Sequence, residues 1–239
     1  LGEKNSVKKA EQELKNRYES LENKYDKFLA ENYDYKANTY ETNKINLLSN
    51  PTSLYAKQPT VYYGLMYLAK NAKKEVKIHT PYIICNDYMY NELKNIKVPT
   101  TIMTNSAENN GNIFGAVDYL NHKKDIINTG VTIKEYEGGI SYHGKSMTID
   151  DDIAIVGSFN MDMRSAYIDT ELMLVINSKD INKQLKASME EYEKKAATVK
   201  NETEYSHIPE GMKMKELSDK KKNIKAWFGW AMNGLRFLF

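Results

Sequence analysis

At 239 residues, with 41% apolar and 28% charged side chains, the chain has ordinary globular usage and length enough for one main domain with appendages. Its 34 basic side chains are nearly offset by 32 acidic ones, and the net charge of +2 lacks the basic excess of a groove that must neutralise many nucleic-acid phosphates. The single cysteine, Cys85, excludes an internal disulfide and a thiolate metal cluster; no apolar run reaches the roughly 18 residues that suggest a membrane span, and no stretch reads as a secretory signal.

Val7, Ala10, Leu14, Tyr18, Leu21, Tyr25 and Phe28 recur at three and four residues among Glu and Lys, which predicts one long amphipathic helix that docks on a main domain or pairs with another helix. Residues 49–60 carry two prolines and read as a loop. An alternation follows: helix 61–73, strand 75–80, strand 99–104, helix 113–128 and strand 131–136. Cys85, just after a predicted strand, reads as a buried inert thiol. Strands 145–150 and 153–156 flank an Asp-rich hairpin turn, strand 170–176 comes next, and a charged helix is expected over 179–199. Acidic residues 150–152 have no His or second carboxylate cluster at metal-ligand spacing, so neither metal nor cofactor is expected. In the last segment Lys220, Lys221 and Lys222 precede Ile224, Trp227, Phe228, Ala231, Leu235 and Leu238 on one helical face. With Trp230 nearby, that pattern predicts a helix lying in an anionic membrane surface; the competing reading is a terminal helix docked on the core.

The most specific signal lies between. His143 and Lys145 are two apart, so on a strand both project from one face and can grip one phosphate. Ser158 and Asn160 repeat the spacing just past Gly157, placing a hydroxyl and an amide near the same oxygens. Asp150 has the opposite parity to His143 and reads as structural. A lone histidine on a strand is ordinarily a satisfied polar residue; six specified positions at fixed offsets are a different matter.

His-x-Lys-x4-Asp-x6-Gly-Ser-x-Asn, unbroken over 143–160, resembles the signature of the phospholipase D superfamily. Ser141 to Ser146, Val156 to Ser165 and Thr170-Glu171-Leu172 are similar to the second half of bacterial cardiolipin synthases, as are Thr80-Pro81-Tyr82 and Thr104-Asn105-Ser106. The likeness covers about residues 45–200. It implies an α/β fold with a mixed sheet flanked by helices, to which the periodicity adds an N-terminal helical arm and a C-terminal amphipathic helix. The expected divisions are 1–58 for helix and linker, 59–208 for the catalytic half-domain and 209–239 for a basic, aromatic membrane-surface tail. It also implies phosphatidyl transfer on phospholipid through a phospho-histidine at a bacterial cell membrane, peripherally attached. His143, Lys145, Asp150 and Glu171 would form the catalytic set, with Lys145, Ser158 and Asn160 on the phosphate.

Metal-free charge stabilisation by Lys145 and Asn160 suits a five-coordinate phosphorus. Glu171 stands where the resemblance implies the acceptor that orients the histidine ring, with Asp169 and Asp162 weaker candidates. One histidine must attack and another protonate the leaving alkoxide. His122, His79 and His207 fit no second motif, and His122-Lys123-Lys124 reads as a surface feature. This chain therefore carries half of a site, and the resemblance implies that an N-terminal repeat or an identical subunit completes it. Leu1, which is not an initiator methionine, suggests a fragment or processed product, and in that arrangement His143 is the general acid. The rivals are a nuclease of the same superfamily and a non-catalytic phosphate-binding half-domain.

Overall fold

The computed structural model describes residues 5–29, 34–228, 234 and 236–238. The chain divides into two compact units, Leu1–Tyr40 and Glu41–Phe239. In the first, α1 (Asn5–Leu29) is the predicted helix, with a break from helical geometry at Tyr25 (φ −123°, ψ 21°). Its stripe of Val7, Leu14, Tyr18 and Leu21 is exposed, Leu14 at 66%.

The second unit is built on a nine-stranded mixed sheet. At its left edge stands β1 (Lys44–Ser49), and α2 (Thr60–Lys70) leads to the central β2 (Val76–His79). A short β3 (Ile83–Ile84), α3 (Asp87–Lys94), β4 (Thr100–Asn105), α4 (Ile113–Ile127) and β5 (Thr132–Tyr136) follow. Then come β6 (Ser146–Ile149), β7 (Ile153–Gly157), β8 (Met161–Asp162), α5 (Met163–Tyr167), β9 (Leu172–Asn177), α6 (Lys179–Glu193), β10 (Ala196–Val199), β11 (Tyr205–His207) and α7 (Asp219–Phe228). The sheet order is β1-β9-β7-β6-β2-β4-β5-β10-β11, with β2, β4 and β5 mutually parallel and every other neighbour antiparallel. β3 and β8 form a separate parallel pair.

Apolar faces explain the layering. Val61, Leu65 and Met66 of α2 pack with Ile78, Ile102, Met147, Ile155 and Met173 from the strands into one core. On the opposite face α6 is tied down by polar contacts: Lys77 Nζ to Glu190 (3.0 Å), His79 Nε2 to Glu193 (3.1 Å) and Asn182 Nδ2 to Ile153 O (2.7 Å).

Several expectations change. Residues 44–49, read as linker, form an edge strand paired with β9 from Lys44↔Asn177 to Ser49↔Leu172. The charged helix stops at Glu193 instead of 199, and Ala196 and Ala197, both buried, pair as strand with β5. Lys123 is not a surface residue: it is buried, with its ammonium 2.7 Å from Glu135. Cys85 is fully buried, and burial pushes its thiol pKa well up, as an inert thiol requires.

The tail is partly docked. Lys221, expected at headgroup level, is buried and donates to the carbonyls of Ala107 (2.8 Å), Glu108 (2.6 Å) and Asn110 (3.0 Å). Arg236 donates to both carboxylate oxygens of buried Asp118 (2.7 and 3.2 Å) and to Cys85 O (2.8 Å). Trp227 is exposed, while Trp230, Ala231, Leu235 and the side chain of Phe228 lie outside the described residues. Arg236→Met should lower stability by about 3 kcal/mol in a urea melt, because it strands a buried carboxylate. Adding Asp118→Asn should recover part of the loss.

Candidate active site

Strand directions gather the signature at one end of the sheet. His79, the last residue of β2, pairs with Ser146, the first of β6, while Gly157 at the end of β7 pairs with Met173 near the start of β9. The loops after β2, β4 and β7 and before β6 and β9 therefore meet there. Gly157 permits this crowding, since a Cβ would lie 2.1 Å from Leu172 O and 2.8 Å from Met173 Cα.

His143 and Lys145 lie in irregular chain just before β6 and not within a strand as expected. They are side by side nevertheless: Lys145 Nζ is 2.8 Å from His143 Nδ1 and donates to His143 O at 2.9 Å. The segment is held from β4. Asn105 Nδ2 donates to Pro81 O (2.8 Å) and Tyr142 O (2.9 Å), and its Oδ1 accepts from Tyr142 N (2.8 Å). Asn105 is buried and sits beside a second tie: Thr80 Oγ1 accepts from Met161 N at 3.1 Å, linking the Thr80-Pro81-Tyr82 loop to the Asn160 loop.

Ser158, Asn160 and Glu171 converge on a residue given no role from sequence, Ser165. Its fully buried hydroxyl donates to Glu171 Oε1 (2.9 Å) and accepts from Asn160 N and Nδ2, both at 3.3 Å. Ser158 Oγ donates to Glu171 Oε2 and accepts from Leu172 N at 3.0 Å. The Ser158 hydroxyl is thus committed to Glu171 and Leu172 here. Asn160 Oδ1 is buried with no hydrogen-bond partner among the described residues. Position alone carried no signal for Ser165; the fold reveals it because α5 begins at Met163 and turns its hydroxyl back toward Glu171.

Glu171 differs from the expectation. Both its oxygens are taken by serine hydroxyls, and the histidine ring faces Lys145. Asp162 caps α5 through Ser165 N (2.5 Å), and burial pushes its pKa up to about 6. Asp169 is engaged by Arg164 Nε at 3.0 Å. Neither is placed as an orienting carboxylate.

Asp150 lies at the other end of β6, five residues or roughly 16 Å of strand from Lys145. Its φ is 52°, a left-handed turn conformation that Asp tolerates, and its carboxylate accepts from the backbone N–H groups of Lys73, Lys74 and Glu75 at 2.7 to 3.2 Å. Burial works against ionisation, but these three donors hold its pKa below the ordinary value. Asp150 is thus structural, as its parity indicated, and membership of the signature is no reason to place it in the reacting set. Asp150→Ala should cost about 2 kcal/mol in a thermal melt. That stabilisation is present above an ordinary carboxylate pKa and disappears as pH falls through the depressed folded value.

Electrostatics link the two groups. Partial burial and then the neighbouring Lys145 charge lower the pKa of His143. Lys145 is lowered too, by burial, against the upward pull of Glu171 and Asp162. His143 should therefore titrate below 6.5 by NMR, and Lys145→Met should move the midpoint upward by removing a like charge. An unmoved midpoint would contradict the pairing.

The mixed α/β sheet flanked by helices is that of a phospholipase D-type domain, and the His143–Lys145 pair and the Ser158–Ser165–Glu171–Asn160 network lie at one end of it. A family profile described as "Cardiolipin synthase, PLD-like domain" matches residues 65–192, and the chain belongs to that family. Cardiolipin synthase 1 of Staphylococcus epidermidis is 30% identical over 159 residues, covering 65% of this chain and 32% of that protein. The Staphylococcus aureus enzyme of the same name is 26% identical over 192 residues, with 77% and 38% covered. The chain thus spans about a third of the length of these relatives. Among solved structures, phosphatidylserine synthase of Haemophilus influenzae superposes with a TM-score of 0.59 at 16% identity, covering 82% of this chain and 48% of that one. The phospholipase D family member Nuc of Salmonella typhimurium gives 0.52 at 16%, covering 65% and 97%. These two likenesses concern the fold.

Proposed function

We propose that this chain is one half of a phospholipase D-type phosphatidyltransferase that acts on phospholipid phosphodiesters, in the manner that the names of its cardiolipin synthase relatives imply. The observation that carries the reading is the His143–Lys145 pair at the same sheet end as the Ser158–Ser165–Glu171–Asn160 network.

In this scheme Lys145 and Asn160 Nδ2 bind the non-bridging oxygens, and Lys145 holds negative charge as phosphorus becomes five-coordinate. One imidazole attacks phosphorus and the P–O bond to the departing alcohol breaks; a second imidazole gives that alkoxide its proton. The phospho-histidine is then attacked by an acceptor hydroxyl, whose proton returns to the second imidazole, and the first leaves. A lowered pKa keeps His143 neutral at rest, the form a nucleophile needs; acting as the acid, it must first gain a proton when bound phosphate offsets Lys145. Glu171 accepts one serine hydroxyl on each oxygen and keeps lone pairs for an imidazole N–H, so those serines set how firmly it is held.

The chain's partners in this reading are a phospholipid, a membrane surface and a second His-x-Lys half from a repeat or another copy. Attachment is peripheral, at a bacterial membrane; no described helix is long and apolar enough to cross a bilayer. Phosphatidyl transfer to an alcohol, measured with the complete two-half assembly, tests the proposal. EDTA should leave the rate unchanged, because Lys145 and Asn160 carry the charge; loss restored by magnesium would count against it.

A further inference from the structure

Between Lys44 and Lys70 the sequence has one charged residue, Lys57, and that side chain is buried. The surface of this stretch is therefore uncharged in a chain that is 28% charged. Its centre, Pro51 to Ala56, is exposed throughout, with Leu54 at 100% and Tyr55 at 82%. Isolated exposed apolar residues need no explanation, but a leucine and a tyrosine together on an uncharged loop tip do.

The loop is fixed at both ends to the segment that carries the site. Before it, Asn50 N donates to Glu171 O (3.0 Å), and Asn50 Nδ2 donates to Ser165 O (2.7 Å) and Asp169 O (3.1 Å). After it, Lys57 N donates to Tyr167 O (2.6 Å) and Lys57 Nζ to Thr170 Oγ1 (2.7 Å). Glu171 and Ser165, both members of the catalytic network, are thus braced by the loop's own anchors. Immediately downstream, Gln58, Pro59, Thr60, Tyr63 and Tyr88 line an open pocket of about 400 Å³ whose two tyrosines are 57% and 40% exposed.

We propose that residues 51–56 form a membrane-docking loop that sinks Leu54 and Tyr55 into the interface of a phospholipid bilayer and so presents the phosphate site to the headgroup layer. The proposal rests on the reading of phospholipid as substrate and adds the surface that meets it. A leucine suits the acyl boundary and tyrosines suit headgroup depth, where one end of the ring is apolar and the other wet. Rigid anchoring matters because a loop that merely dangled would bind lipid without setting the height of the site. The tail is a weaker anchor than its sequence suggests, since Lys221 and Arg236 are spent on the protein.

The test compares the full chain with Leu54→Ser/Tyr55→Ser by co-sedimentation with vesicles of phosphatidylcholine containing phosphatidylglycerol, at low and high salt. The variant should bind roughly tenfold or more weakly at both, because apolar insertion is not screened. Equal binding overturns the proposal. A change in oligomeric mass without vesicles also overturns it, since the loop then meets protein. As a second measurement, an environment-sensitive dye on Leu54→Cys, selective because Cys85 is buried, should shift to the blue on adding vesicles; an unchanged spectrum overturns the proposal. Turnover of a water-soluble short-chain phosphodiester by the complete assembly should be the same with either loop. Its absence in both would sink the catalytic reading, leaving the vesicle result to judge the loop.

Discussion

His143→Ala and Lys145→Ala should each reduce phosphatidyl transfer by at least about a thousandfold while leaving the thermal melt within a degree or two of the parent. The rate loss follows from removing either a covalent nucleophile or acid, or the main cation for charge developing on phosphorus. The unaltered melt follows from placement. His143 is exposed, and Lys145 Nζ makes its hydrogen bonds to His143 itself, so neither substitution opens the core or strands a buried partner. Activity retained in a correctly folded variant would remove that residue from the mechanism. The same pair of proteins separates the substrate readings: loss of transfer from phospholipid with no cleavage of DNA by the parent supports a lipid enzyme, whereas DNA cleavage lost in both variants would make the chain a nuclease.

What could be read in advance depended on how local it was. The signature was legible because its residues are fixed by offsets within one short stretch, and β6, the tight turn at Asp150 and β7 bring them round without help from distant sequence. The central helices and strands were legible from periodicity for the same reason. Asn105 was seen only as a landmark, since its work on Tyr142 spans 37 residues and uses backbone atoms that carry no sequence signal. Ser165 carries no sequence signal because its partners depend on how α5 turns. Periodicity extends the helix to 199 because Lys194 and Lys195 prolong the charged pattern with no Gly or Pro to mark the stop; the turn comes instead from burying Ala196 and Ala197 beside β5. β1 escaped notice as a short Ile-Asn-Leu-Leu run whose pairing with β9 is long-range. The tail misled in part because helical periodicity shows which residues share a face and not what covers it: Lys221 looked like a membrane lysine and caps a loop.

Turnover by this chain should depend on a second half, with specific activity falling about tenfold for each tenfold dilution below the dissociation constant of an active dimer, or absent altogether until a complementary half is added. One phosphodiester exchange needs two imidazoles, and here a single one is placed for it. His79 is buried under α6 against Glu193, His122 stands 2.9 Å from Asp125 on α4, and His207 lies on the far edge strand β11. None of the three is hydrogen-bonded to Lys145 as His143 is. Light scattering run beside the assay gives the species present. A strictly monomeric chain with full, dilution-independent activity would defeat the two-histidine scheme and require a water molecule, or a group on the substrate, to protonate the leaving oxygen. If activity instead appears only on mixing with a separate His-x-Lys half, then His143→Ala in this chain and the matching change in the other should each abolish it, because one half supplies the attacking imidazole and the other the proton-donating one, and neither can substitute for the other.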